Sequence, residues 1–242
     1  MEKHPTSQSF KDVISKLPWQ AVVRLLMLPV IMMLVLFLIA GRTDWWEAWA
    51  YVAQAFVVLL VSRGILIVKH PEVVLERAEA GKKENVKPWD KVLMPITSLF
   101  GPLISWILIG LDVRFGWTPD LPDWIQVIAL FFLIAGSGIG TWAMVANRFF
   151  SSHVRIQAER NHTVVSSGPY GLVRHPGYAG GIISWLVSPI FFSSYLAVIP
   201  AILMVILNVL RTYLEDQTLQ AELPGYKEYT QRVRYRLFPW IW

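Results

Sequence analysis

Long runs without charged residues alternate with polar segments along this chain. The uncharged runs cover residues 25–41, 48–62 (extended by 65–68), 92–111, 124–147 and 176–210. A transmembrane α-helix needs about 20 predominantly apolar residues, so each run is consistent with one or two such helices. The pattern predicts an all-α integral membrane protein.

The run from Pro176 to Leu210 is the most informative of these. It has 35 residues, and a single helix of that length would measure about 52 Å, too long for a hydrocarbon core of roughly 30 Å. Two full crossings and a turn would need more residues than the run contains. We predict a helical hairpin broken near Ser188-Pro189 or near Ser193-Ser194, with its second helix continuing past the membrane. Such a hairpin brings Arg174-His175 and Arg211–Asp216 to the same membrane face.

Lys and Arg residues are distributed unevenly between the predicted helices. Four precede or open the first helix, six lie between Lys69 and Lys91, four between Arg148 and Arg174, and five follow from Arg211 onward. The alternate connections contain only Arg42 and Arg114. By the positive-inside rule, this alternation predicts about six transmembrane helices with both termini cytoplasmic. A basic surface for nucleic acid would not produce the alternation, so no nucleic-acid partner is expected.

Composition agrees with this topology. The chain is 55% hydrophobic and only 16% charged, with a mean hydropathy of +0.46. It has no cysteine, which excludes disulfides and thiolate metal sites, and no metal is predicted. We expect a single domain over 1–242, with N-terminal transmembrane helices in 1–147 and a cofactor-binding catalytic region in 148–242. The absence of a targeting peptide and the compact size favour a bacterial inner membrane, with the active site facing the cytoplasm.

Two further segments have structural interpretations. Gly136-Ser-Gly138-Ile-Gly140 lies inside an apolar helix with no preceding strand, so close helix packing is favoured over a dinucleotide fingerprint. The connection His70–Asp90 is either a short amphipathic helix on the cytoplasmic surface or a solvated loop.

The residues that can perform chemistry flank the hairpin. Arg174-His175-Pro176 alone would be a basic interface anchor before a helix, but Tyr170, Tyr178 and two glycines accompany it. At the far end, Arg211 and Glu215 are spaced i,i+4 on one helix face, where a surface ion pair would contribute only a few tenths of a kcal/mol.

Taken together, five ordered motifs resemble the isoprenylcysteine carboxyl methyltransferase family over residues 147–239. They are Gly168-Pro-Tyr170, Arg174-His-Pro-x-Tyr178-x-Gly180, Arg211-x-x-x-Glu215-Asp216-x-x-Leu219, Tyr226-x-x-Tyr229-x-x-x-Val233 and Leu237-Phe-Pro239. The chain departs from the family pattern at Asp216, where Glu is usual, and at Leu223-Pro-Gly225, which is one residue longer than usual.

The resemblance implies a membrane methyltransferase, like protein-S-isoprenylcysteine O-methyltransferases, that uses S-adenosylmethionine at the cytoplasmic face. The cofactor region it implies comprises Gln157, His162, Tyr170, Arg174, His175, Tyr178, Gly180, Glu215 and Asp216. The catalytic residues it implies are Arg211, near the acceptor, and Glu215. The partners are membrane lipids and a lipophilic small-molecule or lipidated acceptor.

Physical chemistry is compatible with these roles. Arg174 can pair with the cofactor carboxylate, and Glu215 or Asp216 can accept hydrogen bonds from ribose or ammonium groups. The rings of Tyr170 and Tyr178 can face adenine or the positive sulfur. Arg211 can orient an acceptor carboxylate, which needs no general base, whereas an amine or hydroxyl acceptor would need one, with His175 or Glu215 as candidates.

Several alternatives stay open from the sequence. The acceptor is a prenylated cysteine, an isoprenoid acid, a phospholipid amine or a small hydrophobic molecule. Two other functions stay open. The protein is an NADPH-dependent sterol- or steroid-type membrane reductase, a class that resembles this family in its C-terminal hairpin, or a non-enzymatic lipid-binding membrane protein.

Overall fold

The computed structural model describes residues 19–78 and 85–242. The described residues form eight α-helices and contain no β-strand, which confirms the all-α fold. The helices are α1 (Trp19–Ala40), α2 (Trp46–Lys69), α3 (Pro71–Ala78), α4 (Asp90–Phe115), α5 (Asp123–Ala146), α6 (Pro176–Phe191), α7 (Val198–Glu222) and α8 (Tyr226–Arg232).

The long helices correspond to the apolar runs of the sequence. Helices α2, α4, α5 and α7 are each long and apolar enough to cross a membrane, and α1 contributes a shorter apolar stretch, Leu25–Ala40. Helix α6 is apolar but has only 16 residues. The chain is a multi-pass integral membrane protein, while six crossings and cytoplasmic termini stay predictions. Residues 1–18 and 79–84, which include the predicted cytoplasmic N-terminus and part of the His70–Asp90 connection, lie outside the described residues.

Helix α4 is interrupted in its first half. A π-helical turn spans Ile96–Phe100, between Pro95 and Pro102. Because proline has no backbone N–H, it removes hydrogen bonds from the regular α-helical ladder, and the π-turn accommodates this loss.

The predicted hairpin is present as α6 and α7. Its turn falls at 192–197, so the break is at Ser193-Ser194, and the alternative break at Ser188-Pro189 is wrong because these residues lie inside α6. Polar side chains hold the turn in place: Ser194 Oγ donates to Asp112 Oδ2 at 2.6 Å, and Gln126 Nε2 donates to Ser193 Oγ at 2.8 Å.

Helices α5 and α6 approach each other through glycines. A Cβ atom added to Gly136 would lie 2.7 Å from both Gly180 O and Ser184 Oγ, closer than van der Waals contact allows. The packing predicted for this glycine cluster is thus confirmed for Gly136. In contrast, a Cβ on Gly138 would meet nothing within 4 Å. The close contact at Gly136 fixes the N-terminal half of α6 against α5.

The membrane orientation can be tested because the chain has no native cysteine. Asp120 is exposed between α4 and α5, and Lys227 is exposed in α8, beyond the other end of the bundle. Asp120→Cys is expected to react with an impermeant maleimide from outside the cell. Lys227→Cys is expected to react only after the membrane is permeabilised. Labelling of both positions from outside would contradict the predicted orientation.

Candidate active site

A cavity of about 310 Å³ lies where the N-terminus of α6, the polar half of α7, α8 and the loop 147–175 meet. Eight of the ten site residues predicted from the sequence line it: Gln157, His162, Tyr170, Arg174, His175, Tyr178, Arg211 and Glu215. The other two, Gly180 and Asp216, are buried behind the cavity wall. The hairpin therefore brings its two polar ends together, as predicted.

Tyr178 and Glu215 connect the two helices of the hairpin directly. The Tyr178 hydroxyl donates a hydrogen bond to Glu215 Oε2 at 2.7 Å. Tyr178 lies in the first turn of α6 and Glu215 lies in the polar part of α7. This bond uses one carboxylate oxygen of Glu215, and both residues line the cavity.

Arg211 forms its ion pair with a residue that the sequence analysis missed. Its Nε and Nη2 donate to the two carboxylate oxygens of Asp90, at 2.6 and 3.2 Å, and Nη2 also donates to Ser152 O at 2.8 Å. The completely buried Asp90 carboxylate at the start of α4 thus offers Arg211 a two-point contact, in place of the surface pair with Glu215 that the i,i+4 spacing alone would allow. The only sequence signal for Asp90 was an acid placed just before the apolar run 92–111.

Arg174 and Asp216 form a second buried ion pair. Arg174 Nε and Nη2 donate to Asp216 Oδ1 and Oδ2 at 2.8 and 3.0 Å. The remaining nitrogen, Nη1, donates to the carbonyl oxygens of Val233 and Arg234 at 2.9 and 2.8 Å. All three guanidinium nitrogens of Arg174 are therefore engaged within the protein. The pair joins the segment just before α6 to α7 and to the chain after α8.

Further donors surround Asp216, which has no exposed surface. Arg236 Nε donates to Asp216 Oδ2 at 2.9 Å, Gln220 Nε2 donates to the same oxygen at 2.8 Å, and the Tyr226 hydroxyl donates to Oδ1 at 3.2 Å. His175 Nε2 lies 3.2 Å from Oδ1. Asp216 and its partners form a hub that joins the segment before α6 to the C-terminal segment, so Asp216 serves here to organise the cavity wall.

The loop 147–175 forms the opposite wall. His162 Nδ1 accepts a hydrogen bond from the Gln157 backbone N–H at 3.3 Å, and its ring lies 4.5 Å from the Phe149 ring, centroid to centroid. Burial, and then the charges of Arg160 and Arg155, lower the pKa of His162 to about 4. His162 is therefore neutral at pH 7 and presents an uncharged ring to the cavity.

Tyr170 is held by α8 beside this loop. Its carbonyl oxygen accepts a 2.7 Å hydrogen bond from the Tyr229 hydroxyl, and both side chains are buried. Burial raises the pKa of both phenols, so they stay protonated. The motif that contains Tyr226 and Tyr229 thus lies in α8, where both tyrosines line the cavity and Tyr229 holds Tyr170 in its wall.

A third buried ion pair positions α3. Arg155 donates to Glu76 Oε1 from Nε at 3.2 Å and from Nη2 at 2.9 Å, and both residues are about 95% buried. Arg155 Nη2 also donates to Glu159 at 2.7 Å. The helical alternative for the start of the His70–Asp90 connection is confirmed, and the Arg155–Glu76 pair attaches this helix to the cavity loop.

The location of Gly180 gives a stability prediction. A Cβ at this position would come within 3.0 Å of Gly140 N and closer still to Gly136 O. Because these are backbone atoms of a packed helix, Gly180→Ala is expected to destabilise the protein by about 1–3 kcal/mol. Gly138→Ala, which meets nothing within 4 Å, is the matched control. Melting in detergent measures both, and equal melting temperatures would refute the packing role.

The fold and site define an all-α, multi-pass membrane protein with a polar cavity at one end of a helical hairpin. Residues 127–221 match the Isoprenylcysteine carboxyl methyltransferase (ICMT) family. The resemblance drawn from the motifs is thereby confirmed over this region, which begins inside α5 and contains both polar ends of the hairpin.

Individual relatives agree with this match. The chain is 38% identical over 72 residues to a probable protein-S-isoprenylcysteine O-methyltransferase of Oryza sativa subsp. indica, covering 28% of this chain and 37% of the relative. It is 33% identical over 81 residues to protein-S-isoprenylcysteine O-methyltransferase of Xenopus laevis, covering 32% of this chain and 27% of the relative. The similar region thus spans about a third of these relatives' length.

One solved structure can be superimposed on most of the chain, at lower sequence identity. This structure is the eukaryotic intramembrane Ras methyltransferase ICMT, and the alignment covers 96% of this chain and 97% of that one. The sequence identity is 17% and the TM-score is 0.49.

Proposed function

We propose that this protein is a membrane methyltransferase that moves a methyl group from S-adenosylmethionine to the carboxylate of a lipophilic, isoprenylcysteine-type acceptor. The observation that carries the proposal is the cavity lined by Tyr178 and Glu215, two residues that lie inside the region that matches the family. Its volume falls in the usual range for small-molecule sites, roughly 300–1,000 Å³.

The lining residues fit such a cofactor. Glu215 keeps one carboxylate oxygen beyond its bond from Tyr178, and this oxygen can accept from hydroxyl or ammonium groups. The rings of Tyr178 and Tyr170 and the neutral ring of His162 offer apolar or π faces to an adenine or to a cationic sulfur. When bound, S-adenosylmethionine supplies a methyl group on a positively charged sulfur.

Two of the three buried ion pairs have a positioning role in this proposal. The Arg174–Asp216 hub, with His175, fixes the start of α6 against α7, so Tyr178 and Glu215 face each other. Arg211, held by Asp90, places a positive charge beside the Tyr178 ring, 5.5 Å from its centroid. Gln157 shapes the loop wall through a 2.6 Å bond from its Nε2 to Phe149 O. We retain Arg211 and Glu215 as the residues nearest the reaction.

The chemistry needs little acid–base assistance. A carboxylic acid is ionised near pH 7, so its oxygen attacks as a carboxylate and no proton has to be removed. The demands on the protein are alignment and exclusion of water. Apolar side chains such as Met94 and Phe150 line the same cavity and suit the hydrocarbon part of a lipophilic acceptor.

Ligand-dependent melting tests the cofactor class. S-adenosylhomocysteine at about 100 times its Kd is expected to stabilise the protein by about 2.7 kcal/mol, and NADPH is expected to have no effect. Stabilisation by NADPH alone would favour the alternative that the protein is a membrane reductase. A response to neither nucleotide would favour a non-enzymatic lipid-binding protein.

A further inference from the structure

Arg77 is a cavity residue with a buried donor, Nε, that has no hydrogen-bond partner within the described residues. It lies in α3 and lines the cavity. Its guanidinium carbon lies 5.6 Å from the centroid of the Phe150 ring. A buried, unsatisfied charged donor is unfavourable, so this position favours an anionic ligand.

Positive charge around Arg77 is not balanced by its neighbours. Burial, and then the charges of Arg63 and Arg211, lower the pKa of Arg77 to about 9, so it remains charged at pH 7. Glu76, the residue before Arg77, accepts from Arg155, and Asp90 accepts from Arg211. A ligand anion beside Arg77 would therefore offset a positive charge that these two carboxylates do not pair with.

The other arginines that line the cavity, Arg155, Arg174 and Arg211, all donate hydrogen bonds to partners within the protein. Arg174 uses all three nitrogens within the protein. Arg211 uses Nε and Nη2 on Asp90 and Ser152, which leaves it without a free two-nitrogen edge of that kind. A bidentate contact with a carboxylate needs two adjacent N–H donors in one plane. In Arg77 the Nε of such an edge has no hydrogen-bond partner within the described residues.

We propose that Arg77 binds the carboxylate of the methyl acceptor and sets a preference for anionic over neutral acceptors. The inference rests on the proposed function, because it assigns the acceptor end of the same cavity. The ligand it defines is a single carboxylate attached to an apolar chain. The Phe150 ring beside the guanidinium offers that chain an apolar contact.

Binding of a matched pair of probes tests this role. N-acetyl-S-farnesylcysteine and its neutral carboxamide are titrated by calorimetry into detergent-solubilised, S-adenosylhomocysteine-loaded protein. The wild type is expected to bind the acid at least about tenfold more tightly than the amide, since a charge-assisted hydrogen bond contributes at least that factor. In Arg77→Gln the ratio should fall close to one, and Arg77→Lys should restore only part of it.

Controls separate this role from a structural one. Arg232→Gln removes the same charge from an exposed position in α8 and should keep the wild-type ratio. Arg77→Gln should melt no earlier than wild type, because it removes an unpaired buried charge. Its affinity for S-adenosylhomocysteine should stay within a few-fold of wild type.

Four results would overturn the inference. They are an unchanged acid-to-amide ratio in Arg77→Gln, no such preference in the wild type, an equal loss of the ratio in Arg232→Gln, and a loss of S-adenosylhomocysteine affinity in place of the ratio. The last would mean that Arg77 holds the cofactor carboxylate. A preference for the acid that depends on Arg77, without any methyl transfer, would support the anion site and refute the proposed function. Methyl transfer without that preference would support the proposed function and refute the anion site.

Discussion

Asp216→Ala is expected to lower the melting temperature of the ligand-free protein by on the order of 10 °C. The substitution removes the shared acceptor of Arg174, Arg236 and Tyr226 and leaves buried positive charge without a partner. Removing one member of a buried ion pair typically costs about 3–5 kcal/mol. In a chain of this size, each kcal/mol corresponds to roughly 2–4 °C. Melting in detergent, followed by intrinsic tryptophan fluorescence, measures the loss.

The control for this prediction is Glu228→Ala. Glu228 is an exposed acid in α8, so its removal should change the melting temperature little. Arg174→Ala should behave like Asp216→Ala, because it leaves the Asp216 carboxylate with fewer donors. If Asp216→Ala and Arg174→Ala melt like wild type and lose only the response to S-adenosylhomocysteine, the hub is a ligand site and its structural role is refuted.

The hub also shows what the sequence was able to predict. The apolar run from Pro176 to Leu210 was too long for one crossing and too short for two full ones. This length required a hairpin and therefore brought Arg174 and Asp216 to the same end. The sequence did not reveal that the two residues would satisfy each other, because a buried partner and a ligand both suit an Arg or an Asp. Side-chain geometry decides between them.

A second limit concerns residues that are distant in the sequence. Asp90 and Arg211 are separated by 121 positions, and Glu76 and Arg155 by 79. The i,i+4 spacing of Arg211 and Glu215 was visible locally, whereas the fully buried carboxylate on α4 that pairs with Arg211 was not. Arg77 was hidden for the same reason, since α3 reaches the cavity through contacts with residues far away in the sequence, Arg155 and Phe150.

Glu215→Gln is expected to leave the ligand-free melting temperature close to wild type and to reduce affinity for S-adenosylhomocysteine at least about tenfold. Glutamine keeps the size of the side chain and a carbonyl oxygen that accepts the bond from Tyr178. What it removes is the negative charge facing the cavity, and hydrogen bonds to a charged group contribute about 1.5–3 kcal/mol. Calorimetry with S-adenosylhomocysteine measures the change.

Glu222→Gln provides the comparison for this variant. Glu222 lies on the same helix and pairs with Lys87 at the protein surface, at 2.5 Å. Its substitution should leave cofactor affinity unchanged because the residue does not line the cavity. An affinity loss of equal size in both variants would show a general charge effect, and full affinity in Glu215→Gln would remove Glu215 from the cofactor site.

Transfer of labelled methyl groups tests the central claim most directly. Purified protein in lipid nanodiscs is incubated with S-adenosylmethionine carrying a deuterated methyl group and with N-acetyl-S-farnesylcysteine, and the products are analysed by mass spectrometry. We predict a labelled methyl ester that mild base hydrolyses, formed by the wild type and strongly reduced in Glu215→Gln. Absence of any labelled ester, or a label that resists base because it sits on nitrogen or carbon, would contradict the account.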